Sequence, residues 1–164
     1  MTVLDDLRAQ PLLADLPPER LEALAECVEV RELAEGELLY GGDVPLQHFV
    51  MLAEGRLYTQ AQLGGEEQLD SGHEHVAPTY LGAIQLLSGG VQTGTARAIV
   101  ASRVVLLATD AFFDLLRCEP AVARSIFSRF APVFSKLEGL RAQRDKLVAL
   151  GGLAAGLAHE LNNP

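Results

Sequence analysis

Between Val30 and Ala108 the chain is cut by Gly36, Gly41-Gly42, Gly55, Gly64-Gly65, Gly72 and Gly89-Gly90 into short runs of β-branched and aliphatic residues. This is the spacing of strands in an all-β sandwich or barrel, because each tight turn needs a residue that tolerates positive φ at small cost. Leu52 to Leu63, followed by Gln68 and Leu69, reads as a hairpin around Gly64-Gly65. The pattern predicts a small antiparallel β jelly-roll barrel at the centre of the chain.

Helical periodicity flanks the barrel. Leu21, Leu24, Ala25 and Val28 recur at helical spacing between Pro17 and Val30, with Pro18 suited to a first helical position. Thr109 is a plausible N-cap for a helix carrying Phe112, Phe113, Leu115 and Leu116, and Pro120 opens a longer one. Along that longer helix Val133, Leu137, Leu140, Arg144 and Leu147 alternate four and three apart, the spacing of a coiled-coil seam. Leu150, Ala154, Leu157 and Leu161 resume the alternation after a stammer at Leu147, and Pro132 kinks the helix before the seam begins. The expected fold class is α+β, a jelly-roll barrel flanked by helices with a long C-terminal dimerisation helix. The expected domains are a barrel over 1–118, a connecting helix over 119–148 and a distinct helical segment over 149–164.

Charge narrows the partners. Thirteen Lys and Arg against 22 Asp and Glu leave a net charge of −9, and no concentrated basic patch stands out. Such a chain repels phosphate backbones, so nucleic acid is not expected as a partner. No apolar run approaches the roughly eighteen residues of a membrane span, and the acidic start MTVLDDLRAQ is no signal peptide. No membrane contact is expected. Cys27 and Cys118 fall in patterns that resemble buried helix faces and fit a reducing compartment. A cytoplasmic location follows as the expectation.

The segments PLLADLPPERLEALAECVEV, GELLYGGD and LQHFVMLAEGRL resemble the opening helix and first strands of the cyclic nucleotide-binding domain of the catabolite activator type. The resemblance runs from Pro11 to Ser135, with Gly36 before a strand, Gly42-Asp43 at a tight turn and Gly55 between hairpin strands. It implies a ligand held under a cassette made of a glycine-acid pair, a helical turn and an arginine ten residues after the glycine. In that family the acid takes the ribose 2′-hydroxyl, the arginine takes the cyclic phosphate, and backbone N–H groups of the turn add anion affinity. Here the cassette reads YLGAIQLLSGGVQTGTARA. Gly82 keeps the glycine position, Ala83 replaces the acid and Gln92 replaces the arginine. Thr93 and Thr95 are the remaining hydroxyls of this degenerate pocket, and Arg97 has the parity of an outward-pointing residue.

Each lost charge-assisted bond to a phosphate removes about 1.5–3 kcal/mol, and about 1.4 kcal/mol is a factor of ten. Affinity for cyclic AMP or cyclic GMP is therefore expected to fall by about a hundredfold or more, below physiological use. His73 and His75 flank Glu74, and His48 lies on an expected strand. An H-x-H pair on a strand turns both rings to one face, yet third and fourth ligands are not visible nearby, so two exposed loop histidines and no metal are expected.

The last residues, LGGLAAGLAHELNNP, resemble the phosphoacceptor helix of two-component sensor histidine kinases, with His159-Glu160-Leu161-Asn162-Asn163-Pro164 as the H-box. His159 lies two positions from each of the seam residues Leu157 and Leu161 and so projects away from the seam. The resemblance implies that His159 is the phosphoacceptor. It makes Glu160 the residue that orients or accepts the imidazole proton, and Asn163 a positioning residue one turn along the same face. Pro164 supplies a kink suited to a switch. A zinc-protease HExxH reading fails because Asn163 occupies the second ligand position. Catabolite-activator relatives that bind DNA follow their long helix with a basic helix-turn-helix; here an H-box follows instead.

The sequence thus predicts the sensory and dimerising N-terminal region of a cytoplasmic histidine kinase, with a homodimeric stalk and a response regulator as downstream partner. ATP and Mg would serve an ATP-binding domain of the same parent chain, and the segment from 1 to 164 is expected to be inactive alone. Two alternatives stand beside it, a functional cyclic-nucleotide-binding regulatory module and a ligand-free dimerisation scaffold.

Overall fold

The computed structural model describes residues 2–42, 44–61, 72–89, 91–92 and 94–129. Two units divide the chain, Met1–Ala123 and Arg124–Pro164; of the second, residues 124–129 are described and are helical. The expected hairpin turn at Gly64-Gly65, the seam from Val133 to Leu161 and the H-box residues His159, Glu160 and Asn163 lie outside the described residues.

The chain begins with α1 (Val3–Arg8), a short 3-10 turn (Pro11–Leu13) and α2 (Pro18–Ala25). Thr2 and Asp5 start α1 with a reciprocal capping box, the hydroxyl accepting from the Asp5 amide and the Asp5 carboxylate accepting from the Thr2 amide. Pro18 opens α2 as expected, but the helix ends at Ala25 and Val28 already belongs to a strand. Neither α1 nor the turn at Pro11 shows the helical periodicity on which the sequence reading relied. Each is too short for an apolar stripe to repeat.

Ten strands follow: β1 (Val28–Leu33), β2 (Leu38–Tyr40), β3 (Val44–Pro45), β4 (His48–Glu54), β5 (Arg56–Ala61), β6 (Gly72–Val76), β7 (Thr79–Leu81), β8 (Val91–Gln92), β9 (Gly94–Ala98) and β10 (Ser102–Ala108). The six-residue helix α3 (Ala83–Ser88) separates β7 from β8. Two four-stranded antiparallel sheets, ordered β1-β10-β4-β7 and β2-β9-β5-β6, face one another, and β3 pairs with β8. The sandwich interior is aliphatic, with Leu33, Val50, Leu52, Leu57, Leu81, Ala98, Val104 and Leu106 buried together. This is the antiparallel jelly-roll that the glycine spacing predicts.

β4 and β10 are buried on both faces, which is why His48–Glu54 reads as an unbroken apolar run rather than an alternation. Val50 and Leu52 point between the sheets. Phe49 and Met51 point the other way, where α4 (Thr109–Cys118) stacks Phe112 on Phe49 with ring centroids 4.6 Å apart. Residues 120–129 are again helical.

Three local expectations are corrected. Gly55 is not a hairpin turn, since β4 and β5 belong to different sheets; it is the corner where the chain crosses between them. Thr109 is the first residue of α4 and not its cap, its hydroxyl and amide both donating to the Gln47 carbonyl at 2.8 and 3.1 Å. Cys27 and Cys118 are exposed and unbridged, because each falls just past the last turn of its helix, or at it, where the apolar stripe has ended.

Candidate functional site

The cassette predicted from sequence folds as strand, helical turn and strand. β7 delivers the chain to Gly82, whose φ of +88° breaks the strand and caps α3. Glycine is required there twice over. The left-handed backbone disfavours a side chain, and a Cβ would stand 2.5 Å from Leu46 Cδ2 and 3.5 Å from the His48 carbonyl. Gly89, at φ +62°, closes α3, with its amide donating to the Leu86 carbonyl at 3.3 Å. Then β8 pairs with β3, bringing Gln92 opposite Val44.

Ala83, at the acid's position, is 2% exposed, and its methyl group packs into the barrel wall together with Leu81 and Leu86. A methyl group can neither accept from a sugar hydroxyl nor balance a phosphate. Gln92 lies on β8; Thr93 is outside the described residues. Thr95 stands on the same side of β9 as the exposed Arg97, while Gly94, Ala96 and Ala98 on the alternate side are buried. Thr95 therefore does not face the interior, a parity that the sequence reading applied to Arg97 and not to its neighbour two residues back. Arg97 itself is committed outside, its Nη1 donating to the Gly36 carbonyl at 2.6 Å. Of the residues expected in the pocket, the structure brings Gly82 and Ala83 together at the start of α3, and Thr95 falls away from them.

The sequence reading put His73 and His75 on a loop. They lie instead on β6, the edge strand of their sheet, opposite Thr59 and Leu57 of β5. Leu57 is wholly buried between the sheets, so strand alternation gives His73, His75 and Thr59 that same side. The two rings meet edge to face at 4.7 Å, and the Thr59 hydroxyl lies 2.9 Å from His75 Nε2. Burial, then the neighbouring His73, holds the His75 pKa below the ordinary imidazole value. The signal missed was available, because G-H-E-H-V alternates in the way a half-buried strand does. Among the described residues no three His, Cys, Asp or Glu side chains gather as metal ligands.

With this geometry in view the relatives can be placed. No family model matches the chain. Three curated relatives, uncharacterized NTE family proteins of Mycobacterium bovis and of two Mycobacterium tuberculosis strains, are each 26% identical over 126 residues, 76% of this chain. The chain spans about a fifth of their length, 21% of each. Among solved structures, the regulatory domain of Toxoplasma gondii PKA with cAMP superposes with a TM-score of 0.67 at 15% identity, covering 79% of this chain and 48% of that one. The sensor domain of the transcriptional regulator DNR from Pseudomonas aeruginosa gives 0.66 at 15% identity, covering 79% and 91%. The Thermus thermophilus Catabolite Activator Protein gives 0.63 at 21% identity, covering 85% and 63%. The fold is the cyclic nucleotide-binding-like jelly roll with flanking helices. Among the described residues no helix is long and apolar enough to cross a membrane.

Proposed function

We propose that the barrel is a regulatory module of a longer signalling protein, one that keeps the cyclic nucleotide-binding-like fold and lacks its charged anchors. The observation that carries this reading is Ala83, a buried methyl group immediately after the left-handed Gly82, where the family places an acid. The neighbouring structures with cAMP favour a second reading, a true cyclic-nucleotide module with an altered pocket. Calorimetry separates the two. The purified chain should give no binding heat with cyclic AMP or cyclic GMP at micromolar concentrations, and low-micromolar binding of either overturns the degenerate-pocket reading.

The output end of this reading is the H-box, His159-Glu160-Leu161-Asn162-Asn163-Pro164. On it, the barrel biases a homodimeric helical stalk, and the stalk presents His159 to an ATP-binding domain of the parent protein, with a response regulator downstream. ATP with Mg supplies the phosphoryl group. A neutral imidazole nitrogen of His159 attacks the γ-phosphorus as the bond to the β-phosphate oxygen breaks and ADP leaves; Glu160 takes or orients the proton on the other ring nitrogen. The supporting feature is the motif on an apolar, small-residue segment that follows the barrel, where relatives that bind DNA carry a basic helix-turn-helix. Incubated with ATP labelled at the γ-phosphate, the intact protein should acquire an acid-labile label that His159→Gln abolishes. Label of equal amount in that variant removes His159 from the account.

A further inference from the structure

Away from the cassette, a crevice of about 500 Å³ opens between the two sheets beside β1 and β2. Its apolar walls include Leu39 and Tyr40 of β2, Leu46 between β3 and β4, Val50 of β4 and Leu106 of β10. None of the residues lining it comes from α3, β5, β6 or β9, so it is separate from the place where the family's ligand would lie. The size is that of a small-molecule site.

The charge at its mouth follows from strand register. On β1, Leu33 enters the sandwich core, and the two residues sharing its face at intervals of two are Arg31 and Glu29. Their partners across the ladder are Val104 and Leu106, both core residues. A closed sandwich would place aliphatic side chains at these inward positions; here they are charged. Arg31 is already balanced, its Nη2 lying 3.1 Å from Glu37 Oε1. The amide of Ala34 and the Arg31 guanidinium hold the Glu37 carboxyl below its usual range. Glu29 has no cation within ion-pair distance among the described residues, and it lines the same crevice. With Glu29, Arg31 and Glu37 together, the mouth carries one net negative charge at neutral pH.

We infer that this crevice is a binding site for a small apolar amine, with its hydrocarbon body between Leu39, Val50 and Leu106 and its ammonium group at Glu29. The site has a direct mechanical link to the cassette. Leu46 forms part of the crevice wall, and its Cδ2 is the atom against which a Cβ at Gly82 would collide. A ligand that displaces Leu46 therefore presses on the residue that starts α3, which gives the barrel an input that needs no cyclic nucleotide.

An isosteric series tests this on the full chain: 4-phenylbutylamine, 4-phenylbutanol and 4-phenylbutyrate, titrated by two-dimensional NMR. The amine should bind in the sub-millimolar range, about five times more tightly than the alcohol and with the acid weakest, as expected for one partly solvated ion pair. Shifts should include the amides of Leu46 and Gly82. Glu29→Gln, an exposed substitution that leaves the core untouched, should bring the amine down to the alcohol. Leu39→Trp, which fills the slot, should abolish binding of all three. Absence of binding up to the solubility limit, preference for the acid, or an amine advantage that survives Glu29→Gln would each overturn the assignment.

Discussion

At the scale of single residues, the molecule is controlled by small side chains at places where the backbone bends sharply. Gly55 turns the chain from one sheet to the other at φ +88°, and a Cβ there would overlap Ser102 Oγ and stand 2.6 Å from the Ala101 carbonyl. Ser102 cannot yield. It is 4% exposed, accepts from the Arg56 amide at 3.0 Å and reaches the Val100 carbonyl at 2.8 Å, so it ties the two strands that leave the corner. Gly55→Ala combines a left-handed backbone with overpacking, and should lower stability by about 2–4 kcal/mol. Urea denaturation measures it, and a loss below about 0.5 kcal/mol, the level of an ordinary surface change, would show that the corner is not strained. The glycine itself is legible in the sequence. What it does is not, because a turn between hairpin strands and a corner between sheets demand the same positive φ. Ala83 and Gln92 were legible in a stronger sense, since a missing carboxylate and a missing guanidinium can be read from a position within a motif without any coordinates.

The elements show where periodicity succeeds as a guide and where it fails. The barrel strands were predicted from their glycine punctuation, and α4 from its stripe of Phe112 and Leu115. α1 was invisible to that approach because it is held by polar groups. Asp6, 0% exposed, accepts from Arg103 Nε at 2.8 Å, and the adjoining Gln10 donates from Nε2 to the Leu52 carbonyl at 3.0 Å. That carbonyl sits where β4 carries an extra residue, Ala53, against β10. Such a bulge disturbs the ladder, and a side chain supplies a donor there, a long-range pairing that no local pattern encodes. β6 was missed for another reason, since its two histidines draw attention as possible ligands and conceal the alternation beneath them. The strand has a pH signature. The folded pKa of His75 is lowered, and the unfolded value is about 6.5, so between the two the unfolded chain holds the proton and the folded chain does not. Stability from this group is fully present above the unfolded pKa and is lost as pH falls through it towards the folded value. Denaturation midpoints at pH 8.0 and 5.5 should drop more in the wild type than in His75→Gln, and equal drops would mean that His75 does not report on the fold.

For the whole molecule the question is how a barrel without charged anchors can still regulate anything. A cyclic nucleotide domain works because its ligand adds a strong, localised interaction that one conformation has and the other lacks, and a ligand with no such difference shifts nothing. With Ala83 buried at the acid's position, that difference must come from other sources, either another ligand or the association of two chains. Association is open to test because the expected seam lies on one side of one helix, at Val133, Leu137, Leu140 and Leu147 before the stammer and at Leu150, Ala154, Leu157 and Leu161 after it. Unpaired, such a stripe would expose leucines along several turns, and a net charge of −9 works against any association that does not bury them. A symmetric dimer buries the stripe on both chains at once and places the two His159 side chains outward on opposite sides of the stalk. Light scattering of the full chain at tens of micromolar should therefore return twice the monomer mass. Leu140→Lys, which puts two like charges into the middle of the seam, should return the monomer while the circular dichroism of the barrel is kept. A wild-type chain that stays monomeric at that concentration would remove the stalk, and with it the route by which the barrel is proposed to reach His159.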